Sequence, residues 1–600
     1  MKTFWKILLG STLGFFLALL ILIIFGVASI GSIAGSALEK GPSLPSGEYI
    51  LKIDFNTPVT EQSDGSLHLT AGAAGDISAS MNGSISVYSM VKAIEKAATD
   101  PQIRMIYMTP DDPSFAMSAA TAEEVRAALK RFREAGKAIV SYSNQLTGEG
   151  YYMASVADRI LFNAYGDPMI FGMSSQVVFF KDALDKLGID MQLIRHGKYK
   201  AAGEQFTKSG MTPENREQNQ AVIDAIWSSW ADEISVSRGF TADEFNDWLD
   251  NLELKNAQSL LDKGLVDELC YQSDVDDYMC SICEVGTVED LKVADITTYA
   301  KAKVRDPLGS KSKIAVVYAN GEIMVDTPTD RNISGVEMAN ILAEIRRDST
   351  IKAVVLRVNS PGGAAQGAEM INHELGLLKA VKPVVASYGD YAASGGYWIS
   401  ARADRIFCDK ATLTGSIGVF SLVPAFGDAL KQKVGINMVA VNSNRHSDLL
   451  TMMREFDSEE TAYMESTVEK VYNDFTAIVA EGRNMPADKV DEVGQGRVWA
   501  GVDAIRVGLV DECGGLVDAI RYAEELAGLS ESGYKTVEYP AVKSPYEKLM
   551  ENISSTSVSV RTAAEATSSP ISAFDAAYSS LKNETGFKTM ARMPYIYKIY

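Results

Sequence analysis

The sequence predicts an α/β protein in which one domain occurs twice in tandem behind a single apolar N-terminal span. Three observations carry this reading: an internal repeat, short β-branched runs alternating with helical periods in each copy, and a long uncharged stretch near the start. The repeat is plain, since YYMASVADRI at 151–160 recurs as YWISARADRI at 397–406. The match runs on upstream, where IRMIYM at 103–108 resembles IKAVVL at 351–356. Downstream, Asp182-Ala-Leu answers Asp428-Ala-Leu and GLVDE at 264–268 returns at 508–512.

Taken in order, the first element is residues 7–27 (ILLGSTLGFFLALLILIIFGV), inside a stretch without charge between Lys6 and Glu39 and long enough to cross a bilayer as a helix. A secretory signal peptide competes, but its apolar core normally runs about 7 to 15 residues. The longer run favours an uncleaved anchor, although the small residues at 28–37 suit a cleavage site. Lys2 and Lys6 precede the span, which predicts a cytoplasmic N-terminus with the bulk of the chain exported. Residues 1–38 are thus read as N-terminus and anchor, 48–300 as the first copy, 301–312 (KAKVRDPLGSKS) as a polar linker and 313–530 as the second copy. Residues 531–600 are a C-terminal extension whose role stays open, its Ser-, Ala- and Thr-rich stretch at 554–580 reading as no more than a surface or membrane-proximal segment. Within the second copy the runs at 313–318, 353–358 and 383–387 read as strands and residues 364–380 as a helix, the pattern of parallel crossovers.

A formal net charge of -21 offers no basic patch and argues against nucleic-acid binding. Five cysteines are an odd number and too few for a disulfide framework in 600 residues, and the CxxC at Cys280 and Cys283 has no second pair beside it. They read as ordinary thiols. There is no GxxxxGK[ST] loop and no HExxH helix, because Leu377 stands where His373-Glu374 would need a second histidine. No cofactor and no metal are expected.

Ser394 sits in GDYAASGGY, after an apolar run and before a helical segment, so the chain turns sharply where the hydroxyl is presented. Ala392 replaces the first glycine of GxSxG, and the same residues also suit a glycine-rich turn packing a helix on a sheet; both readings stay open here. Asn359-Ser-Pro-Gly362-Gly363 follows a strand, and paired glycines there can aim backbone N–H groups into a cleft as an oxyanion hole. The first copy has Pro110-Asp-Asp-Pro113-Ser and Gly148 at the matching places, so it lacks both features. None of His68, His196, His373 and His446 stands in a triad setting. A lysine can serve as base if burial lowers its pKa from about 10.4 toward 7 to 8. Lys200, ending the cationic cluster HGKYK before small residues, is a candidate whose neighbouring positive charges would help neutralise it, though such a run also suits a solvated surface.

YKAAGEQF at 199–206, NSPGG at 359–363, GDYAASGGY at 389–397 and TGSIG at 414–418, in this order, resemble the signal peptide peptidase A (protease IV) family in its long, duplicated bacterial form. The resemblance covers nearly the whole chain after the span. It implies a Clp-protease or crotonase-like fold, Ser394 as nucleophile supplied by the second copy, and Lys200 as general base supplied by the first. It also implies an oxyanion hole including Gly363, with Gly362 beside it, Ser416 hydrogen-bonded to the lysine amine, and Gly395 in support. The second copy has His446, no lysine, where Lys200 would align. The function implied is a serine endopeptidase that degrades cleaved signal peptides and other apolar peptides. It would be a homotetramer on the periplasmic face of the bacterial cytoplasmic membrane. A crotonase-like acyl-thioester enzyme and a non-catalytic membrane scaffold are the rivals; neither has a use for Ser394.

Overall fold

A computed structural model describes residues 43–63, 68–71, 77–80, 84–110, 117–305, 310–327, 332–529, 533–541 and 590–593. The candidate span at 7–27 lies outside the described residues, among which no helix is long and apolar enough to cross a membrane.

Each copy is built on a mainly parallel sheet covered on both faces. In the first, strands run in the order Glu268–Cys270, Arg159–Met169, Ala138–Thr147, Ile103–Thr109, Tyr49–Asp54, Val293–Asp295. In the second, the order is Val498–Ala500, Leu413–Gly415, Val384–Ala393, Ile351–Ser360, Lys313–Asn320, Lys535–Tyr539, with two short strands off this path. Burial on both faces explains the unbroken apolar runs read from the sequence. Along Lys313–Asn320, Ile314, Val316 and Tyr318 pack against the helix Leu516–Leu526, while Ala315, Val317 and Ala319 face the helices Gly335–Arg347 and Ala365–Lys379.

Two contacts weld the copies. Strand Asp190–His196 of the first lies antiparallel to Val419–Ala425 of the second, from His196 opposite Val419 to Asp190 opposite Ala425. Arg357, wholly buried in strand Ile351–Ser360, reaches Glu61 at 2.7 Å and Glu124 at 2.6 Å, both from the first copy, and also holds Ser387 Oγ and the Tyr388 carbonyl.

Two expected boundaries shift. Lys301 to Lys303 finish the helix Ile296–Lys303, whose Tyr299 and Ala300 are buried, so the polar stretch taken as linker starts inside the first copy. The C-terminal extension supplies strands on either side of residues 554–580. Lys535–Tyr539 pairs in parallel with Lys313–Asn320, as Val293–Asp295 pairs with Tyr49–Asp54, and supplies the edge strand of the second sheet. Met590–Arg592 is buried between Gly362–Ala364 and Val419–Ala425. Strands a few residues long carry too little apolar pattern to stand out beside a Ser- and Thr-rich tail, which is why they escape a reading of periodicity.

Candidate active site

Strand Val384–Ala393 ends at Ser394, which has φ 55° and ψ -114° and precedes the short helix Gly395–Trp398. A non-glycine residue at positive φ is strained, and here the turn is pinned by the Ser394 N–H bonding the Gly415 carbonyl at 2.8 Å. Gly396 must lack a side chain, since a Cβ there would lie 2.6 Å from the Ser360 carbonyl oxygen. This is the sharp strand-to-helix turn expected from the sequence, reached without the first glycine of GxSxG.

Lys200 follows strand Asp190–His196, and the cross-copy pairing carries it to Ser394. Its Nζ lies 2.8 Å from Ser394 Oγ, 3.0 Å from the Ser416 carbonyl oxygen and 3.1 Å from Ser416 Oγ. All three residues are fully buried. The approach needs Gly496, where a Cβ would fall 2.5 Å from the Lys200 backbone nitrogen. Tyr199 N–H donates to the Gln495 carbonyl and Gly496 N–H to that of Ile417, so the loops carrying lysine and Ser416 hold each other.

Burial pushes the Lys200 amine well below the ordinary lysine range. The positive charge expected from the HGKYK cluster plays no such part, since desolvation alone is the cause; Lys198 Nζ lies over the Tyr199 ring, 5.1 Å from its centroid. A neutral amine has two N–H groups and one lone pair. With the N–H groups on the two Ser416 oxygens, the lone pair faces the Ser394 hydroxyl.

The paired glycines divide their work. Gly362 N–H is turned to Ser360 Oγ at 3.2 Å, away from a donor role in the cleft. At φ 99° its missing side chain permits close approach, since a Cβ there would stand 2.7 Å from the Gly395 nitrogen. A Cβ on Gly395 would in turn lie 3.2 Å from the Gly363 nitrogen. Gly363 and Gly395, the latter directly after Ser394, thus stand close together.

The other sequence candidates lie elsewhere. His196 bonds Glu469 at 2.6 Å and stacks on Tyr472, and His446 bonds the buried Glu460 at 3.1 Å. Cys280 and Cys283 lie on the helix Gln272–Cys283, with burial raising both thiols. The Arg357 cluster was missed by sequence reasoning, although an arginine inside the apolar run AVVLRV was a signal for it.

Fold and site together define a serine-type endopeptidase. Peptidase family S49 matches residues 131–283 and 376–530, one match in each copy, and the chain belongs to that family. Among curated proteins it is 33% identical to "Protease 4" of Haemophilus influenzae over 455 residues, 74% of this chain and 73% of that protein. It is 30% identical to "Serine protease SPPA, chloroplastic" of Arabidopsis thaliana over 460 residues, 75% of this chain and 67% of that one. Among solved structures, a mutant ClpP1 from Listeria monocytogenes aligns at 13% identity and a TM-score of 0.24, over 34% of this chain and 94% of that one.

Proposed function

We propose that this peptidase works through a Ser394/Lys200 dyad shared between its two copies, and that it degrades cleaved signal peptides and other apolar peptides at the bacterial cytoplasmic membrane. The observation that carries the dyad is the 2.8 Å contact between Ser394 Oγ and a buried, desolvated Lys200 amine. Lys200 takes the Ser394 proton as Oγ attacks the scissile carbonyl. The oxyanion is held by the N–H groups of Gly363 and Gly395, and the leaving amine receives the proton back from Lys200. Water then hydrolyses the ester. Ser416 keeps the amine aimed at Ser394 and accepts its charge when it is protonated.

The membrane placement rests on the apolar run at 7–27 with Lys2 and Lys6 before it, which supports an N-in single-pass anchor and periplasmic catalytic copies. A Clp-protease or crotonase-like ancestry for each copy suits the parallel sheet and the glycine oxyanion loop. A homotetramer is supported by two unpaired edges. At the repeat offset, residues 173–179 and 436–442 correspond to Val419–Ala425 and Asp190–His196, which pair within the chain, yet neither has a strand partner among the described residues. Val439 and Val441 are 87% and 96% exposed. The same antiparallel contact made from one chain to the next closes a ring.

The test is hydrolysis of a fluorogenic apolar peptide by the full chain in detergent. Ser394→Ala and Lys200→Ala should abolish turnover while His196→Ala barely changes it; a fully active Lys200→Ala places the base elsewhere. Val441→Asp should reduce the particle mass seen by light scattering, and an unchanged mass removes the proposed contact.

A further inference from the structure

Ser416 aims the amine of Lys200, but the lysine backbone lies in the loop between strand Asp190–His196 and the short helix Glu204–Thr207. Two side chains grip that loop on either side of the lysine. Arg195 donates from one guanidinium nitrogen to the Lys200 carbonyl at 2.7 Å, and Gln218 Nε2 donates to the Tyr199 carbonyl at 3.0 Å. Both peptide groups that flank the Lys200 Cα are thereby tied down.

The two grips lead back to Glu204. Its Oε1 accepts from the same Arg195 nitrogen at 2.9 Å, and its Oε2 accepts from Asn215 Nδ2 at 3.0 Å. Asn215 Oδ1 accepts in turn from Gln218 Nε2 at 3.2 Å, which closes a circuit through Arg195, Glu204, Asn215 and Gln218 onto the two carbonyls. Glu204, Asn215 and Gln218 are buried, so opening the circuit leaves polar groups without partners. The circuit also reaches the second copy: the Val498 N–H donates to Gln218 Oε1 at 3.1 Å, and Val498 pairs with Gly415, next to Ser416. Gln218 therefore sets both the lysine and the strand that leads to the residue aiming its amine. The helices Pro213–Arg238 and Ser458–Arg483 answer each other in the two copies. With their caps Thr212 and Asp457 superposed, Gln218 falls on the exposed Tyr463, and Asn215 falls on Glu460, which binds Arg454 instead. The copy without a buried lysine has no such circuit at these positions.

We propose that Glu204 and Gln218 are positioning residues for the general base: through this circuit they hold Lys200 in place against Ser394 without touching substrate. The proposal rests on the Ser394/Lys200 reading. Opening the circuit lets the lysine backbone shift, and a displacement of about 1 Å at a reacting group lowers the rate by up to about a hundredfold. An amine that leaves its buried place regains water, and because burial is what depresses its pKa, it then loses its proton at higher pH.

Glu204→Asp and Gln218→Met test this, since each opens the circuit while keeping the net charge near Lys200. Both are compared with wild type and Lys200→Met in hydrolysis of an apolar fluorogenic peptide by the full chain in detergent, across neutral to alkaline pH, with folding followed by thermal melting. In each variant kcat should fall by about tenfold or more with KM little changed. The midpoint of the alkaline rise in kcat/KM should move up by about half a pH unit or more. The double variant should lose little beyond the worse single one, because both residues act through one circuit. A folded variant that keeps the wild-type kcat and midpoint overturns the positioning role. A loss equal at every pH overturns it too, since that is the mark of a smaller folded fraction. Either variant decides the matter where the other does not fold. A Lys200→Met chain as active as wild type overturns the dyad itself, whereas an inactive one beside unaffected variants overturns the positioning role alone.

Discussion

The two copies make the same turn in different ways. In the first, Gly148, which matches Ser394, is already the first residue of the helix Gly148–Ala154, and Thr147 before it, at φ -80°, caps that helix, its Oγ1 accepting from the Gly150 N–H at 3.0 Å. In the second, Ser394 at φ 55° caps nothing, and its hydroxyl is turned to Lys200. The lysine position differs in parallel: Lys200 is buried and stripped of water, whereas the half-buried His446 at the matching place bonds the carboxylate of Glu460. Each copy thus keeps one costly feature and has an ordinary one at the other position, and the proposed site lies where the two costly features meet. Strain of about 1 to 3 kcal/mol at the serine and the burial of an amine are tolerable because the surrounding sheets over-determine both.

The largest effect should come from separating them. Ser394→Ala or Lys200→Met should each lower kcat/KM by about a thousandfold or more, and the double variant little further, because groups acting as one unit are not additive. Additive losses in a peptide-hydrolysis assay would mean that the two residues act independently.

Stability of the joint comes next. Arg357→Ala leaves Glu61 and Glu124 buried without their cation, and breaking a buried ionic group in this way costs about 3 to 5 kcal/mol. Denaturant titration should show that loss, with activity falling too because strand Ile351–Ser360 leads into Gly362 and Gly363. A change within the error of the titration would mean that the 190–196 and 419–425 strands and the other contacts across the copies, such as Lys410 with Glu233 and Arg497 with Glu217, hold them without Arg357.

How far the sequence announced this arrangement follows from range. Ser394 and Gly363 could be singled out because their motifs are contiguous and the repeat shows which copy lost what, whereas Lys200 was weak on its own residues and Ser416 entered through the family resemblance alone. The parallel sheets were readable from their apolar runs. Long-range facts were not: nothing in HGKYKAAG says that burial alone depresses the lysine, nor does NSPGG say that Gly362 spends its N–H on Ser360. The strands at 535–539 and 590–592 were hidden for the same reason, since their meaning lies in what they pair with.

Protonation sharpens the comparison with a smaller effect. Lys200 must be neutral to accept a proton, so kcat/KM should rise from neutral to mildly alkaline pH as the amine loses its proton, its pKa lying below the ordinary value of about 10.4. The folded state binds fewer protons than the unfolded one between the depressed pKa and the ordinary one, so this group makes stability rise with pH across that window. Lys200→Met should flatten that rise in Tm. A profile flat through pH 9 with chemistry limiting would mean that some other group takes the proton.

The smallest effect is the most direct reading of the strained turn. Glycine adopts φ 55° without a Cβ penalty, so Ser394→Gly should stabilise the inactive chain by about 1 kcal/mol, its greater unfolded-state freedom offsetting part of the relieved strain. At the relaxed turn of the first copy the sign reverses: Thr147→Ala removes a cap and should cost about 1 kcal/mol. Denaturant midpoints of the two variants decide it. Opposite signs mean that the second copy keeps its serine against the preference of its own backbone, for the sake of what the hydroxyl faces; equal signs would make the Ser394 turn as ordinary as its counterpart.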